Sequence, residues 1–507
     1  MAKPFRVRLF EVIPGLLTWA TLSALVYLAL FAPLTLAVVV LVYAIYWLLR
    51  VFIMTGHLAA GFWRYRQEQK IDWLKKLQAE YPADWQRFYQ LVIIPTYKED
   101  ISILRHTLEA LEQSNYPSEK LLVVVAFEGR EKELAPVYAP KLQFEFEHRF
   151  GMFLTTSHPA DIAGEVRGKG PNITWAGRQV KKNIDSRQLN YTDVITTTID
   201  ADNRVDRNYF ANLTWHYLVT PDPVHKSFQP LPMYFNNIWA VPAAIKVMAL
   251  GSTYWQMIQA MRPHYCRNFA AHAQSFAALV KTDFWSVTTV VEDGHQYWRS
   301  YFAFKGNHHV VPMFVPIYMD AVQGDNFADT SREQYLQRRR WYWGVSDVPF
   351  VFLNSYKNKN IPFFYKWLQL GRLMESHYSL ATQSFILLFG WLPVVLHASF
   401  TATVFGFHFP IIYRIFLAAA WIGMIANMII AALMVPPRPG KNSAYIFHTI
   451  KEWILAPLLL PLTGIFFSAI PAIDSQTRLL FNKPFTVFNV TKKAAIPGGI
   501  LVETQTK

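Results

Sequence analysis

The sequence has a single cysteine, Cys266, in 507 residues. That excludes an intrachain disulfide framework and a thiolate zinc site, and points to reducing surroundings for most of the fold. Acid is also scarce: 35 Asp and Glu stand against 49 Lys and Arg, a formal net charge of +14. Such an excess suits nucleic acid, anionic lipid or an anionic substrate. No basic stripe forms a known nucleic-acid module, and much of the positive charge flanks apolar runs, which disfavours nucleic acid. The chain contains no internal repeat and no low-complexity tract. Charged residues are 17% against 52% hydrophobic, in a chain too long for one ordinary core.

The apolar residues are concentrated at both ends. Ile13–Phe31 and Leu34–Met54 are each close to the roughly 20 residues that span a bilayer, and only Ala32 and Pro33 separate them. They predict a helical hairpin over residues 1–56 with both ends cytoplasmic, beside Lys3, Arg6 and Arg8 and then Arg50, Arg64 and Arg66. The second span argues against a cleaved signal peptide. Residues 57–84 read as a linker on the membrane surface. After residue 350, "PFFYKWLQLGRLMES" (362–376) suits an interfacial helix within 351–378. Phe385–Phe405 and Ile411–Val435 are further span candidates within 379–475. Ile450–Ile473 carries Pro457, Pro461 and Pro471 and is expected to be kinked or re-entrant. Residues 476–507 read as a cytoplasmic tail.

Between these ends the pattern changes. "LVIIP" (91–95), "LLVVVAF" (121–127) and "DVITTTID" (193–200) read as buried parallel strands, with helices over Ile101–Gln113 and Asn172–Lys182. Alternation of this kind implies an α/β domain, here residues 85–350, built on a mostly parallel sheet. Ligands in such sheets bind beyond the carboxyl ends of the strands. Polar residues that follow the apolar runs are therefore the ones to inspect.

The first run ends in "PTYKED" and the second in "FEGRE", where Glu128 before Gly129 suits a nucleoside or an ordinary surface loop. Asp200 and Asp202 in "TTTIDADNRVD" would point the same way in extended chain. Paired hard oxygens hold Mg²⁺ or Mn²⁺ with substrate phosphates completing the shell; a helix N-cap is the equal alternative. "EVRGKGPNITWAG" (165–177) places Arg167 and Lys169 among glycines at a helix start, a phosphate site or a flexible basic loop. Glu292 and Asp293 follow "WSVTTVV" (285–291), read as a further strand-like run. A carboxylate there suits a general base, and "DGHQYWRSYFAF" equally suits a capped helix. In "EQYLQRRRWYWG" (333–344), Gln337, Arg340 and Trp341 share one helical face, an amide, a guanidinium and an indole for phosphate and sugar, or else for lipid headgroups. His308–His309 would point apart in a strand, which argues against a metal pair.

"TYKED", "FEG", "GKGPN", "DAD", "ED" and "QRRRW" occur in that order between apolar segments. The set resembles the membrane-embedded family 2 glycosyltransferases, the group of cellulose, hyaluronan and chitin synthases, over roughly residues 85–345. The resemblance implies a GT-A fold with helical transmembrane segments. It implies inverting, metal-dependent transfer from a nucleotide-sugar, a UDP-sugar by preference, to a growing polysaccharide with coupled export. Asp200 and Asp202 would hold Mg²⁺ or Mn²⁺ with the diphosphate, and Asp293 would be the catalytic base. Thr96, Tyr97, Glu99, Glu128, Lys169, Gln337, Arg338 and Arg340 would bind the donor, and Glu292 and Trp341 the acceptor. Glu128 departs from the family's usual aspartate. In the tail, "FNVTKK" (488–493) matches the gating loop of cellulose synthases through Phe488, Val490, Thr491 and Lys493.

Expected partners are the donor, a polysaccharide or lipid acceptor, membrane lipid and export proteins, with no nucleic acid. A bacterial inner membrane, with the catalytic domain cytoplasmic, is the setting implied. The alternative within the class is single transfer to a polyprenyl phosphate or diacylglycerol. A channel or transporter with a regulatory domain is disfavoured. Phe385–Phe405 carries only His397 and Ile411–Val435 only Arg414, and six ordered motifs would be left unexplained.

Overall fold

The computed structural model describes residues 5–438, 455 and 458–485. The expected gating residues Phe488, Val490, Thr491 and Lys493 lie outside the described residues. The chain divides into two compact units. A sheet unit comprises 61–241 and 251–330; a helical unit comprises the chain up to residue 60, 242–250 and 331–484.

The sheet unit is α/β. Its strands are β1 (Tyr89–Thr96), β2 (Leu121–Glu128), β3 (Met152–His158), β4 (Val194–Thr198), β5 (Arg204–Val205), β6 (Ser227–Met233), β7 (Ala273–Ser275) and β8 (Val310–Tyr318). They lie in the order β3-β2-β1-β4-β7-β6-β8-β5. Neighbours among β1 to β4 pair parallel, as do β6 and β8, while β7 opposes both its neighbours and β5 opposes β8. Six strands thus run one way, and their carboxyl ends share one edge. This mixed, mostly parallel sheet is the architecture that the GT-A resemblance implies. Every residue of β2 is buried, as a strand covered on both faces requires. Helix Lys169–Ser186 covers one face with Ile173, Ala176, Val180 and Ile184, at helical spacing, against Leu91, Ile93, Leu122 and Val124.

The run 285–291, expected as a strand, is a loop. Its hydroxyls satisfy the backbone locally: Ser286 Oγ accepts from Thr288 N and Thr289 Oγ1 from Val291 N, each at 3.3 Å. Such side-chain to backbone bonds compete with a sheet ladder.

The helical unit contains helix Phe5–Phe31 and, up to residue 60, helix Pro33–Glu68, joined at Ala32. The second runs unbroken into the expected linker as far as Glu68, and a short helix, Trp73–Glu80, follows it in the sheet unit. The expected interfacial segment is part of one helix, Phe363–Leu388, and the span expected at 385–405 is broken into short turns over 389–401. Val404–Met434 is continuous. Of the segment expected to be kinked or re-entrant, 450–473, the part from residue 458 belongs to a continuous helix, Leu458–Leu480, with a π turn at Ile465–Ala469; Pro457 lies outside the described residues. Five helices among the described residues are long and apolar enough to cross a membrane. Polar groups on them pair with one another: Thr18 Oγ1 donates to Gln476 Oε1 at 2.7 Å, and Arg8 to Glu11 and to the Leu479 carbonyl at 3.0 Å.

Among the glycines fixed by packing in the sheet unit, Gly151 is the tightest. A Cβ on Gly151 would overlap the Glu119 carbonyl oxygen, whereas one on Gly251 would meet open space. Gly151→Ala is expected to destabilise the protein by about 2 kcal/mol or more, and Gly251→Ala to be neutral or stabilising. Thermal unfolding midpoints of the two purified variants check this, and an unchanged Gly151→Ala midpoint would contradict the packing.

Candidate active site

The shared carboxyl edge of the sheet gathers the acidic residues. Lys169 opens helix Lys169–Ser186, with Gly168 as its N-cap. A Cβ on the next residue, Gly170, would overlap the Ser286 carbonyl oxygen and meet Glu292 Cβ at 3.1 Å. Glycine therefore lets the helix start directly against the 286–292 segment. That contact puts Lys169 Nζ 2.8 Å from Asp200 Oδ1 and 3.8 Å from Glu292 Oε1. The side chain is 9% exposed. Burial alone would lower its pKa, but Asp200, then Glu292 and Asp293, hold it above the ordinary lysine range.

Asp200 and Asp202 sit in a turn after β4 rather than in extended chain. The two carboxylates accordingly take different partners. Asp200, 38% exposed, pairs with Lys169. Asp202 is buried, and its Oδ2 accepts from Asp320 N at 3.2 Å. Asn236 Nδ2 donates to Asp202 O at 3.2 Å and to Asp320 Oδ1 at 2.9 Å, and Thr107 Oγ1 donates to Ala201 O at 2.6 Å. Asp320 follows β8 and escaped the sequence reading, although an acid after the apolar run 310–319 obeys the rule that located the others.

Glu292 and Asp293 are the first two residues of helix Glu292–Ala303, after N-cap Val291, which makes no side-chain cap. Two anionic side chains there meet the positive end of the helix. Asp293 Oδ1 accepts from Gly294 N at 2.7 Å.

A second polar group lies at the ends of β1, β2 and β3. Glu128 is buried, and its Oε2 accepts from Arg130 at 3.1 and 3.2 Å. The Arg130 guanidinium lies 4.8 Å from the Tyr97 ring centroid, and Thr96 and Glu99 are buried beside it in sequence. Lys98 N donates to Glu131 Oε1 at 2.9 Å, and burial pushes the Glu131 pKa up. His158 and Glu165 join this group and were not anticipated. No run of like residues marks them; only the register of β3 beside β2 brings His158 opposite Glu128.

Among the described residues, no group of three or more His, Cys, Asp or Glu is arranged to hold a metal ion. A cation at Asp200 and Asp202 would thus have two hard carboxylates from this unit and need phosphate oxygens besides, a set that suits Mg²⁺ or Mn²⁺. His308 is buried, its Nδ1 2.7 Å from the His225 carbonyl and its pKa pushed down to about 3 by burial. It is a core histidine.

Gln337, Arg338, Arg340 and Trp341 belong to the helical unit, on helix Phe327–Tyr342. Arg338 donates to Met248 O at 3.0 Å and lies 4.7 Å from the Trp341 ring centroid. Their neighbour Arg339, singled out by no motif, donates to Asp474 Oδ2 at 3.1 Å, as Tyr335 does at 3.0 Å.

No protein-family model matches the chain, and no curated protein matches it. Solved structures do. The mannosyltransferase PcManGT from Pyrobaculum calidifontis, in complex with GDP-Man and Mn²⁺, is 16% identical over 83% of this chain and 99% of its own, with a TM-score of 0.43. TarS of S. aureus (residues 1–349), in complex with UDP-GlcNAc, is 13% identical over 78% of this chain and 91% of its own, with a TM-score of 0.36. GalNAc-T7 with UDP, GalNAc and Mn²⁺ is 12% identical over 57% and 58%, with a TM-score of 0.36. Likenesses this distant say nothing of what this chain binds.

Lys169→Met removes the cation beside three carboxylates. Because Asp200 is 38% exposed, the expected loss is about 2 kcal/mol, below the roughly 3–5 of a fully buried pair. A raised lysine pKa contributes stability that is whole below the ordinary lysine value and lost only as pH rises through the raised one. The loss should therefore be equal at pH 6 and pH 8, and Asp200→Asn should restore part of it in the Lys169→Met background. Unfolding of wild type, Lys169→Met, Asp200→Asn and the double variant checks this; an unperturbed Lys169→Met variant would contradict the coupling.

Proposed function

We propose that the protein is an inverting, metal-dependent glycosyltransferase acting at a membrane. It transfers a sugar from a nucleotide-sugar, a UDP-sugar on the family resemblance, to a growing polysaccharide that is exported as it lengthens. The observation that carries this reading is the gathering of Asp200, Glu292 and Asp293 around the Lys169 ammonium at the carboxyl edge of the sheet. An acidic edge interrupted by one buried cation suits a polyanionic leaving group that needs neutralising and an acceptor hydroxyl that needs a base.

The roles follow from position. Asp293 accepts the proton of an acceptor hydroxyl as its oxygen attacks the anomeric carbon, and the bond from that carbon to the diphosphate breaks. Lys169 exchanges part of its contact with Asp200 for the departing diphosphate. Asp200 and Asp202 would hold Mg²⁺ or Mn²⁺, which when bound supplies positive charge to the leaving group. Thr96, Tyr97, Glu99 and Glu128 face the nucleoside in this reading. On sequence spacing alone, Gln337, Arg338 and Arg340 contact the diphosphate, and Glu292 and Trp341 the acceptor.

The test is turnover by the purified protein in lipid nanodiscs. Mg²⁺ or Mn²⁺ is supplied with labelled UDP-, GDP- and dTDP-sugars, and the product is sized. A long, glycosidase-sensitive product that chelation abolishes is expected. Asp293→Asn should lower turnover by about 10²-fold or more with donor affinity unchanged. A short, lipid-extractable product would replace the polymer acceptor with a lipid, and full turnover by Asp293→Asn would remove Asp293 as the base.

A further inference from the structure

The carboxyl ends of β2 and β3 border a half-open cavity of about 220 Å³ lined by Glu128, Arg130, His158, Asp161, Glu165 and Arg167 among others. Gly129 packs against one of its lining residues. Gly129 N donates to His158 O at 2.8 Å, and a Cβ on Gly129 would come within 2.6 Å of that oxygen. The close approach seats the His158 ring beside the Glu128 carboxylate, with Nδ1 3.9 Å from Oε2. Its other nitrogen, Nε2, is 2.9 Å from Glu165 Oε2. The side chain is 8% exposed, and Nδ1 has no hydrogen-bond partner. Trp175 meets the ring edge-on, with centroids 6.0 Å apart.

The same Glu128 oxygen that faces His158 Nδ1 accepts from the Arg130 guanidinium. An acceptor therefore stands between two donors, provided that Nδ1 carries its proton. Glu128 and Glu165 favour that state: burial alone would lower the His158 pKa, but the two carboxylates raise it above its ordinary value. Asp161 adds to the acidic surroundings, and Arg130 and Arg167 oppose it. A gap of 3.9 Å is too long for a hydrogen bond between the two groups and leaves room for both to contact one ligand edge.

We propose that His158 is the base-recognising residue of this protein: with Glu128 and Arg130 it presents a donor–acceptor–donor array that complements the acceptor–donor–acceptor edge of uracil or thymine. Guanine offers one acceptor followed by two donors, so it leaves a donor of the array unmatched, and an unmatched buried donor is costly. This inference rests on the nucleotide-sugar reading above and names the group that selects the nucleotide.

The test is binding of UDP and GDP to the full-length protein in nanodiscs by calorimetry, for wild type and His158→Phe. Thermal midpoints confirm that both are folded, and His158→Gln serves as a second variant if His158→Phe is not. Wild type is expected to bind UDP at least tenfold tighter than GDP. The substitution should weaken UDP about tenfold, the loss of one hydrogen bond, and leave GDP unchanged. Wild-type affinity for UDP should also fall as pH rises through the His158 pKa, a slope that the variant should lack. If nucleotides bind but the UDP to GDP ratio is the same in both proteins, the assignment of His158 is wrong and the glycosyltransfer reading stands. If no nucleoside diphosphate binds, both fall.

Discussion

A lysine ammonium packed among three carboxylates sets the geometry of the whole carboxyl edge. Asp200, Glu292 and Asp293 come from a turn after β4 and from the first turn of a helix, and without a cation they would repel one another in a poorly hydrated space. Lys169 reaches them because Gly170 allows its helix to begin against the Ser286 carbonyl. That helix in turn seals one face of the sheet with four apolar residues at helical spacing. The packing of the core and the charge arrangement of the candidate site are thus fixed by one helix start.

Much of this was legible in the sequence. The runs that became β1, β2 and β4 are dominated by Val, Leu, Ile and Thr, and buried parallel strands leave little room for any other pattern. Asp200, Asp202, Glu128 and Lys169 were legible because each follows a strand or opens a helix. The rest was hidden for physical reasons. β6 and β8 carry Pro230, Pro232, Pro312 and Pro316, residues that argue against a strand, and they pair with a register shift between Gln229 and Leu231. The β-branched run before Glu292 is a loop, because Ser286 and Thr289 bond the backbone that a ladder would have used. Asp200 and Asp202 face different partners because the chain turns between them. His158 is made relevant only by its register beside Glu128.

The helical unit shows why composition alone misjudges polar residues in apolar segments. Asp474 lies in the helix Leu458–Leu480, yet Arg339, Tyr335 and Arg478 all donate to it. Ser475 beside it donates to Arg339 O at 2.7 Å. Thr18 and Gln476 satisfy each other, both buried. These are packing contacts that keep polar groups hydrogen-bonded where hydrocarbon would leave them unmet, and they need no transported ion to explain them. The prolines at 461 and 471 likewise do not break that helix; a π turn at Ile465–Ala469 lies between them.

On the proposed function, Asp200 and Asp202 would form a metal site that only a diphosphate completes, because Lys169 already pairs with Asp200 and no third carboxylate or histidine among the described residues joins them. Titrating the full-length protein with Mn²⁺ and following the loss of the free-ion EPR signal, with and without UDP, tests this directly. Weak binding alone and at least tenfold tighter binding with UDP, lost in both Asp200→Asn and Asp202→Asn, is the predicted result. Equally tight binding without the nucleotide, or tightening that survives removal of both carboxylates, would contradict it.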